Sequence, residues 1–279
     1  MNDILYAEQK FDILVENYVE LENALLHAGV HYMVHQTMDT HYFEVQRDLF
    51  NRLLSNLLSA ARAYLDYVPQ ASNRMLGQLS GATSRCKAEC AQAYDSYVGY
   101  RVMEGLRNFA QHEGLPVQAL RVTGDEIGVE TRTVVSFYAI KSAMREMKVF
   151  KHAVQIELDA MPGAGLDLKH MMREYLSGLA HVHDALRTEI AARASEWLST
   201  ISAAATEFNL ISPLAPADSI GVVDRTKSPP EFTNLPVTVW KHVLHLRQKN
   251  GYVGDFHLKF VSGQLVKEEP GQRPTEPNG

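Results

Sequence analysis

The sequence has few cysteines, no long apolar run and no secretion signal. Its 279 residues include two cysteines, Cys86 and Cys90, four positions apart on a predicted helix. Such a pair offers no disulfide framework and is typical of a reducing compartment. No stretch approaches the roughly 18 apolar residues that a membrane span needs, and the N-terminal residues MNDILYAEQK lack a basic-then-apolar pattern. The sequence therefore predicts a cytoplasmic protein without a membrane segment.

An excess of positive charge is also missing. The 27 Lys and Arg residues and the 33 Asp and Glu residues leave a net charge of −6. Because a basic field over the whole surface is what draws a polyanion to a protein, general attraction of nucleic acid is excluded. Any site for nucleic acid must be a local patch.

Helical periodicity predicts a mainly α fold. Apolar residues recur at three- and four-residue spacing over segments that we interpret as helices at about 4–28, 42–67 and 167–208. Gly29 and Pro69 are expected to end the first two, which a short link would pair antiparallel. The third would be about 60 Å long at 1.5 Å per residue. We therefore expect a break near Gly178 or a projecting arm that serves a dimer.

Two regions depart from this periodicity. Residues 117–122 and 131–139 are rich in β-branched and aromatic side chains around TGDEIG, which predicts a β-hairpin inserted in the helical domain. Prolines beyond residue 211 mark a domain boundary. The predicted organisation is a helical domain over 1–210, a small C-terminal α+β module over 211–266 and a disordered tail over 267–279. The module would contain a helix at about 237–248 and a hairpin around Ser262 and Gly263.

A helix predicted over about 140–159 carries the one basic stripe of the chain. Its members lie at positions i, i+4, i+7 and i+11, so they share one helix face. A solvated face is the more common explanation of such a row, and sequence-independent phosphate contact is the alternative. The residues of this stripe are Lys141, Arg145, Lys148 and His152.

Three histidines, His27, His31 and His35, are also spaced four apart. Stacked on one helix face they would resemble a metal site. Gly29 interrupts the predicted helix, however, and no carboxylate accompanies them. Exposed or loop histidines are therefore favoured, and neither a metal nor a cofactor is expected.

The segment RNFAQH, residues 107–112, lies at the end of a helix predicted over about 95–112 and just before EGLP, which stops it. At 100° per residue, Arg101, Asn108 and His112 fall within about 40° of one another, with Gly105 in the same row. Arg107 lies about 140° from His112 and flanks this polar stripe. Its guanidinium is long enough to reach around the helix and grip phosphate oxygens, or to meet a group from another chain.

The spacing Arg107-x4-His112, with Asn108 after the arginine, resembles the Arg-x(4 to 6)-His signature of the HEPN superfamily (higher eukaryotes and prokaryotes nucleotide-binding domains). The surrounding GLRNFAQHEGLPV is similar to a group of bacterial HEPN-like proteins. The resemblance covers about residues 95–117, and the rest of the chain only in helical character. It implies an all-α bundle with the motif near a helix end, paired copies across a dimer cleft and, as in many members, metal-independent ribonuclease activity.

The resemblance implies a role for each motif residue. Histidine is the side chain whose ordinary pKa suits proton transfer at neutral pH, so His112 would be the general acid or base. Arg107 would stabilise charge on the phosphate, Asn108 would orient either group and Arg101 would widen the phosphate contact. Because one motif supplies one histidine, two proton transfers are easier to build from two chains. The expected partners are RNA and a second copy of the chain, with an unidentified regulatory partner, and the setting would be that of a toxin or defence effector.

One departure from the family and three other interpretations bear on this hypothesis. HEPN toxins that a nucleotidyltransferase silences carry a tyrosine two residues past the histidine, where this chain has Gly114, so regulation through that tyrosine is not supported.

A non-catalytic HEPN-like module that binds a nucleotide or a protein partner stays open, as does a plain helical dimer. The intact motif favours an enzyme over the former, and the acidic net charge favours the latter. Alternatively, Arg107 is a surface residue and His112 neutralises the helix dipole.

Overall fold

The computed structural model describes residues 1–36, 39–77, 80–127, 130–146, 150–211, 220–251, 254–259 and 261. The described chain is mainly helical with a small antiparallel sheet, as the periodicity predicts. No helix in these ranges is long and apolar enough to cross a membrane. The helices are α1 Asn2–His35, α2 Thr40–Leu76, α3 Ala82–Ser96, α4 Val98–His112, α5 Lys141–Glu146, α6 His152–Ala160, α7 Leu168–Ile211 and α8 Val237–Lys249.

The strands form two small sheets. In the first, β2 Glu130–Ile140 lies between β1 Ala119–Ile127 and β3 Gly165–Asp167, and both pairings are antiparallel. The hairpin predicted from the β-branched residues therefore falls on β1 and β2. A separate pair, β4 Gly221–Asp224 and β5 Glu231–Asn234, precedes α8.

The first two helices run antiparallel and are longer than predicted. The end of α2 bonds to the start of α1, since Asp3 accepts hydrogen bonds from Tyr67 and Arg74. The predicted stops at Gly29 and Pro69 are wrong, because α1 continues to His35 and α2 to Leu76. A glycine in a helix costs only about 1 kcal/mol, and the buried face of α1 reaches Gly29 through Leu25 and Ala28. Pro69 lies between the buried Val68 and Ala71, so packing on both sides of it offsets its penalty.

Helix α7 is a single 44-residue helix, so the expected break near Gly178 is wrong. The glycine serves packing there. A Cβ at Gly178 would lie 2.7 Å from Cδ2 of Tyr100 on α4. At the start of α7 the side chain of Asp167 accepts a hydrogen bond from the Lys169 amide at 2.9 Å, which is the contact expected of an N-cap. A projecting arm that serves a dimer stays a prediction.

Two predicted helices are each divided in the structure. The motif helix begins at Val98 and not near residue 95, because Tyr97, at φ −120° and ψ 118°, separates it from α3. The helix predicted over 140–159 is wrong as a continuous element. Strand β2 extends through Ile140, α5 ends at Glu146 and α6 starts at His152. Between them the buried ring of Phe150 packs directly on Gly105 of α4, where a Cβ would overlap it.

The C-terminal helix is confirmed, as α8, and it packs on the main core. Trp240 and Val243 belong to the same buried cluster as the inner faces of α1, α2 and α7. Residues 256–258 form a short 3₁₀ helix where a strand of the predicted hairpin was expected. The turn of that hairpin and the tail over 267–279 lie outside the described residues.

A buried polar network joins α8 to the helical bundle. Glu8 of α1, 1% exposed, accepts hydrogen bonds from His183 Nε2 at 3.1 Å, Arg187 Nη2 at 2.6 Å and Arg247 Nε at 2.8 Å. His183 is fully buried, stacks on Phe11 with 4.0 Å between ring centroids, and bonds through Nδ1 to a tyrosine hydroxyl on α2. Three helices, α1, α7 and α8, therefore meet at one carboxylate, and His183 links α2 to it.

Candidate nucleic-acid site on α4

The first turn of α4 is seated closely on α7. The Gly99 amide donates to Oε2 of Glu174 at 2.6 Å, and His170 donates to the other carboxylate oxygen at 2.9 Å. A Cβ at Gly99 would overlap the backbone carbonyl oxygen of Met171. This contact excludes any larger residue at position 99. It also fixes the helix whose other end carries the motif.

The motif end of α4 is anchored by a buried phenylalanine and by a residue that sequence reasoning missed. The amides of Glu113 and Gly114 both donate to the Phe109 carbonyl, at 2.8 and 3.1 Å. Asn51 of α2, 3% exposed, then clamps Val117, because its side chain donates to the Val117 carbonyl at 2.9 Å and accepts from the Val117 amide at 2.8 Å. The chain leaving the motif is therefore fixed to α2. An asparagine within an apolar helical stripe was the only sequence signal of this role.

The arginine of the motif is held by its neighbours on α4. Arg107 Nη2 donates to Asn108 Oδ1 at 2.8 Å, and Arg107 Nε lies 3.9 Å from Oε2 of Glu104. Glu104 in turn accepts from the buried Tyr175 hydroxyl at 2.6 Å. The Arg107 side chain is only 15% exposed, and its buried Nε has no hydrogen-bond partner within the described part of the chain. One donor of the guanidinium is therefore unused.

The histidine of the motif is separate from these contacts. His112 is the last residue of α4 and is exposed, and among the described residues it has no hydrogen-bond or ion-pair partner. Arg107 and His112 do not bond to each other within the described chain. The chain therefore presents a held arginine and an exposed imidazole on the same helix.

Part of the polar stripe predicted on the motif helix lines a cleft. Arg101, Gly105 and Asn108 all face a cavity of about 580 Å³ whose other walls come from α2, α3 and the start of α6. Arg107 and His112 are not among its lining residues. Those residues are Arg62, Leu65, Pro69, Lys87, Cys90, Ala91, Tyr94, Asp95, Tyr100, Arg101, Glu104, Gly105, Asn108, Phe150, Lys151 and Val154.

Arg101 is committed to structural contacts in this cleft. Its Nε and Nη2 donate to Oε2 of Glu157 at 3.1 and 2.8 Å, and its Nη1 donates to the backbone carbonyls of Tyr94 and Asp95 at 2.5 and 2.9 Å. These contacts link α3, α4 and α6. They leave the guanidinium few donors for the phosphate contact that we predicted.

The basic stripe predicted over 140–159 is not assembled. Lys141 points its ammonium at the Met161 carbonyl, 2.7 Å away, and burial lowers the pKa of this ammonium. Arg145 pairs with Asp159. Lys148 lies outside the described residues, and His152 begins a different helix, α6. The predicted stripe assumes one continuous helix. That spacing does not apply, because α5 and α6 are separate helices.

Two cleft lysines were missed by sequence reasoning. Lys87 is exposed on α3, and Lys151 lies just before α6 with its ammonium 5.7 Å from the ring centroid of Tyr94. Neither has a carboxylate within ion-pair distance among the residues that the structure describes. The cleft is lined by four cationic side chains and two carboxylates, and two of the cations are paired with the further carboxylates Asp66 and Glu157. No spacing rule joins residues 64 positions apart, so the sequence carried no signal of this pair.

Within the described ranges, no group of three or more His, Cys, Asp and Glu side chains is placed to hold a metal ion. The three evenly spaced histidines lie on the continuous helix α1, where the rings of His31 and His35 are 4.6 Å apart and His31 stacks on Tyr42 at 4.4 Å. Comparisons with protein-family models, with curated proteins and with solved structures found no match. The residues of α4 and the adjoining cleft are therefore the basis for assigning a function.

Proposed function

We propose that the chain is a metal-independent endoribonuclease of HEPN type that acts as a homodimer in the cytoplasm, as a toxin or defence effector. The observation that carries this proposal is the exposed His112 at the end of α4, on the helix face that lines a cleft with four cationic side chains. His112 lies one turn beyond Asn108, about 6 Å along the axis and about 40° around it. An RNA strand that leaves the cleft past Asn108 would reach the imidazole.

The arrangement supplies groups suited to RNA cleavage in which the 2′-OH of the RNA is the nucleophile. The ribose 2′-OH loses its proton and attacks phosphorus, the O2′–P bond forms, the P–O5′ bond breaks and the 5′-oxygen gains a proton. Arg107 supplies its guanidinium charge to the phosphate, and Asn108 orients the guanidinium through its bond to Nη2. His112 transfers one of the two protons. The second transfer is assigned to the motif histidine of the other protomer, which is why a dimer is part of the proposal.

The proposal is tested by incubating purified protein with a mixed RNA pool in EDTA. Cleavage that leaves 2′,3′-cyclic phosphate ends is expected. His112→Ala and Arg107→Ala should each lower the rate by about 10²- to 10⁴-fold, while the melting temperature stays close to that of the parent, because His112 is exposed and Arg107 has only local partners. His242→Ala, which removes an exposed histidine of α8, is the matched control and should cleave at the parent rate.

Two results would refute the proposal. One is activity that EDTA abolishes and Mn²⁺ or Zn²⁺ restores. The other is a folded His112→Ala protein that cleaves at the parent rate, because no other residue of the motif can transfer a proton at neutral pH. Light scattering should show a dimer at micromolar concentration, and a monomer whose activity is independent of dilution contradicts the shared site.

A second candidate is a non-catalytic HEPN-like helical dimer that binds a nucleotide or a protein partner. It is favoured by the contacts of Arg107 with Glu104 and Asn108, which keep the guanidinium on its own helix, and by the position of Arg107 and His112 outside the cleft lining. In that case RNA would not be cut under any metal condition. The EDTA assay combined with a binding measurement separates the two functions.

A further inference from the structure

We infer that the cleft beside α4 binds single-stranded RNA, with Lys87 and Lys151 as its phosphate-binding residues. The cleft would hold nucleotides next to the scissile phosphate and not the scissile phosphate itself, since His112 and Arg107 do not line it. This role rests on the proposed ribonuclease. The binding step itself is measurable without cleavage.

The shape and lining of the cleft suit a nucleotide. Its volume of about 580 Å³ is within the range of about 300–1,000 Å³ that is usual for small-ligand sites. The apolar part of its lining, from α2 and the start of α6, offers a surface to an unpaired base, and Lys87 of α3 and Lys151 just before α6 lie in the same cleft. A paired base could not use that surface, because in a duplex its faces are already stacked. The apolar lining includes Leu65, Pro69, Phe150 and Val154.

Ion pairing distinguishes the two lysines of the cleft from its arginines. Arg62 pairs with Asp66 at 2.7 Å, and Arg101 pairs with Glu157 at 2.8 Å. Lys87 and Lys151 have no such carboxylate within the part of the chain that the structure describes. Two ammonium groups in one cleft that no described carboxylate pairs with directly are available to a phosphate, which an ammonium binds as a point charge.

Tyr94 positions the lysine on the α6 side. The Lys151 ammonium lies 5.7 Å from the Tyr94 ring centroid and the Arg101 guanidinium carbon 6.0 Å from it, both within cation–π range. Tyr94 itself packs edge-on against the buried Tyr100. The aromatic ring therefore holds a charged side chain in place in the cleft. Grooves that combine cations with aromatic rings are typical of single-stranded nucleic-acid sites.

Asn108 lies on the path of a bound strand from the cleft to His112. It closes the cleft at the motif end, its Oδ1 accepts the bond from Arg107, and its amide nitrogen has no partner described in the structure, so it can donate to a bound strand. A strand held at Lys87 and Lys151 passes Asn108 before it reaches His112. Binding in the cleft and orientation of Arg107 are linked through this one side chain.

The test uses His112→Ala protein, which removes the proposed proton-transfer group. A fluorescein-labelled single-stranded RNA of about ten nucleotides is titrated in EDTA at several salt concentrations, and anisotropy gives the affinity. The added double change Lys87→Ala with Lys151→Ala should flatten the plot of log affinity against log salt by about 1.4, because each phosphate contact on a single strand contributes about 0.7. At 0.1 M salt the same relation predicts about 25-fold weaker binding.

The matched control is Lys10→Ala with Lys241→Ala, which removes the same charge elsewhere. Lys10 lies 5.4 Å from the Tyr67 ring centroid, as Lys151 lies over Tyr94, and Lys241 is exposed on a helix, as Lys87 is. The control should keep the affinity and salt slope of its parent. Circular dichroism melting is used to verify that both double variants fold.

Three outcomes overturn the inference. The first is an equal loss in the two double variants, which would show that only total charge matters. The second is parent-like binding after loss of the two cleft lysines. The third is displacement of the RNA by uridine monophosphate at the same concentration as by unlabelled RNA, which would make the cleft a free-nucleotide site. Failure of the wild type to cleave, with lysine-dependent binding intact, instead refutes the ribonuclease and leaves the binding site standing.

Discussion

Replacing Glu8 with Gln tests the buried network that joins α8 to the helical bundle. The change keeps the shape of the side chain and removes its charge. Glu8 is 1% exposed and accepts hydrogen bonds from His183, Arg187 and Arg247. A glutamine retains one acceptor oxygen and presents an NH₂ group to cationic neighbours. Two arginines would therefore lose their counter-charge in a buried place.

The magnitude follows from the pKa of the carboxyl group. Burial raises the pKa of Glu8, but the hydrogen bonds from His183 and Arg187 and their charges outweigh burial and lower it from 4.5 to about 2. Since one pKa unit corresponds to 1.36 kcal/mol, this difference stabilises the folded state by roughly 3 kcal/mol at neutral pH. Because the pKa is depressed on folding, the contribution is complete above pH 4.5 and is lost as the pH falls towards 2. At pH 3 it should be roughly 1 kcal/mol.

The assay is urea unfolding followed by circular dichroism at pH 7 and pH 3, for the parent and for Glu8→Gln. At pH 7 the free energy of unfolding of the variant should be about 3 kcal/mol lower than that of the parent. This difference between variant and parent should be smaller at pH 3. Glu189→Gln is the control, because Glu189 also binds an arginine through two contacts, at 2.5 and 2.6 Å to Arg85, but at an exposed site. Exposed pairs contribute about 0–1 kcal/mol. Equal losses in the two variants, or a Glu8→Gln difference that does not change with pH, would refute the reasoning.

Two further changes test how α4 is held. Gly99→Ala should destabilise the fold by about 1–3 kcal/mol in urea unfolding, because its Cβ would overlap the Met171 carbonyl oxygen, which cannot move independently of α7. Gly29→Ala, at a helical glycine with room for a Cβ, should instead stabilise it by about 0.5–1 kcal/mol. Asn51→Ala leaves the buried amide and carbonyl of Val117 without partners, and should lower the unfolding free energy by about 2–4 kcal/mol.

These predictions also have outcomes that contradict them. A gain in stability for Gly99→Ala would mean that α4 and α7 are not in close backbone contact. A loss below 0.5 kcal/mol for Asn51→Ala, at the lower edge of what a single buried hydrogen bond contributes, would mean that water replaces the amide. In either case the motif end of α4 would be less firmly positioned than the structure has it.

Local patterns determined where most elements lie. Helical spacing of apolar residues located α1, α2, α4, α7 and α8, and β-branched residues located the β1–β2 hairpin, because these signals depend on near neighbours in the chain. The ends of the elements were harder to predict. Gly29, Pro69 and Gly178 all lie inside helices, since tertiary packing outweighs the local penalty that each residue carries.

The sequence by itself determined the mainly helical class and the row of Arg101, Gly105 and Asn108 on one face of a helix that ends at His112. The partners of that row were decided only by the tertiary structure. Lys87 and Lys151 reach one cleft because Phe150 packs on Gly105 and sets the start of α6 beside α3. Side-chain spacing specifies which residues share a helix face, whereas the packing of one element on another specifies which faces meet. The second depends on contacts far apart in the chain, and no local pattern encodes them.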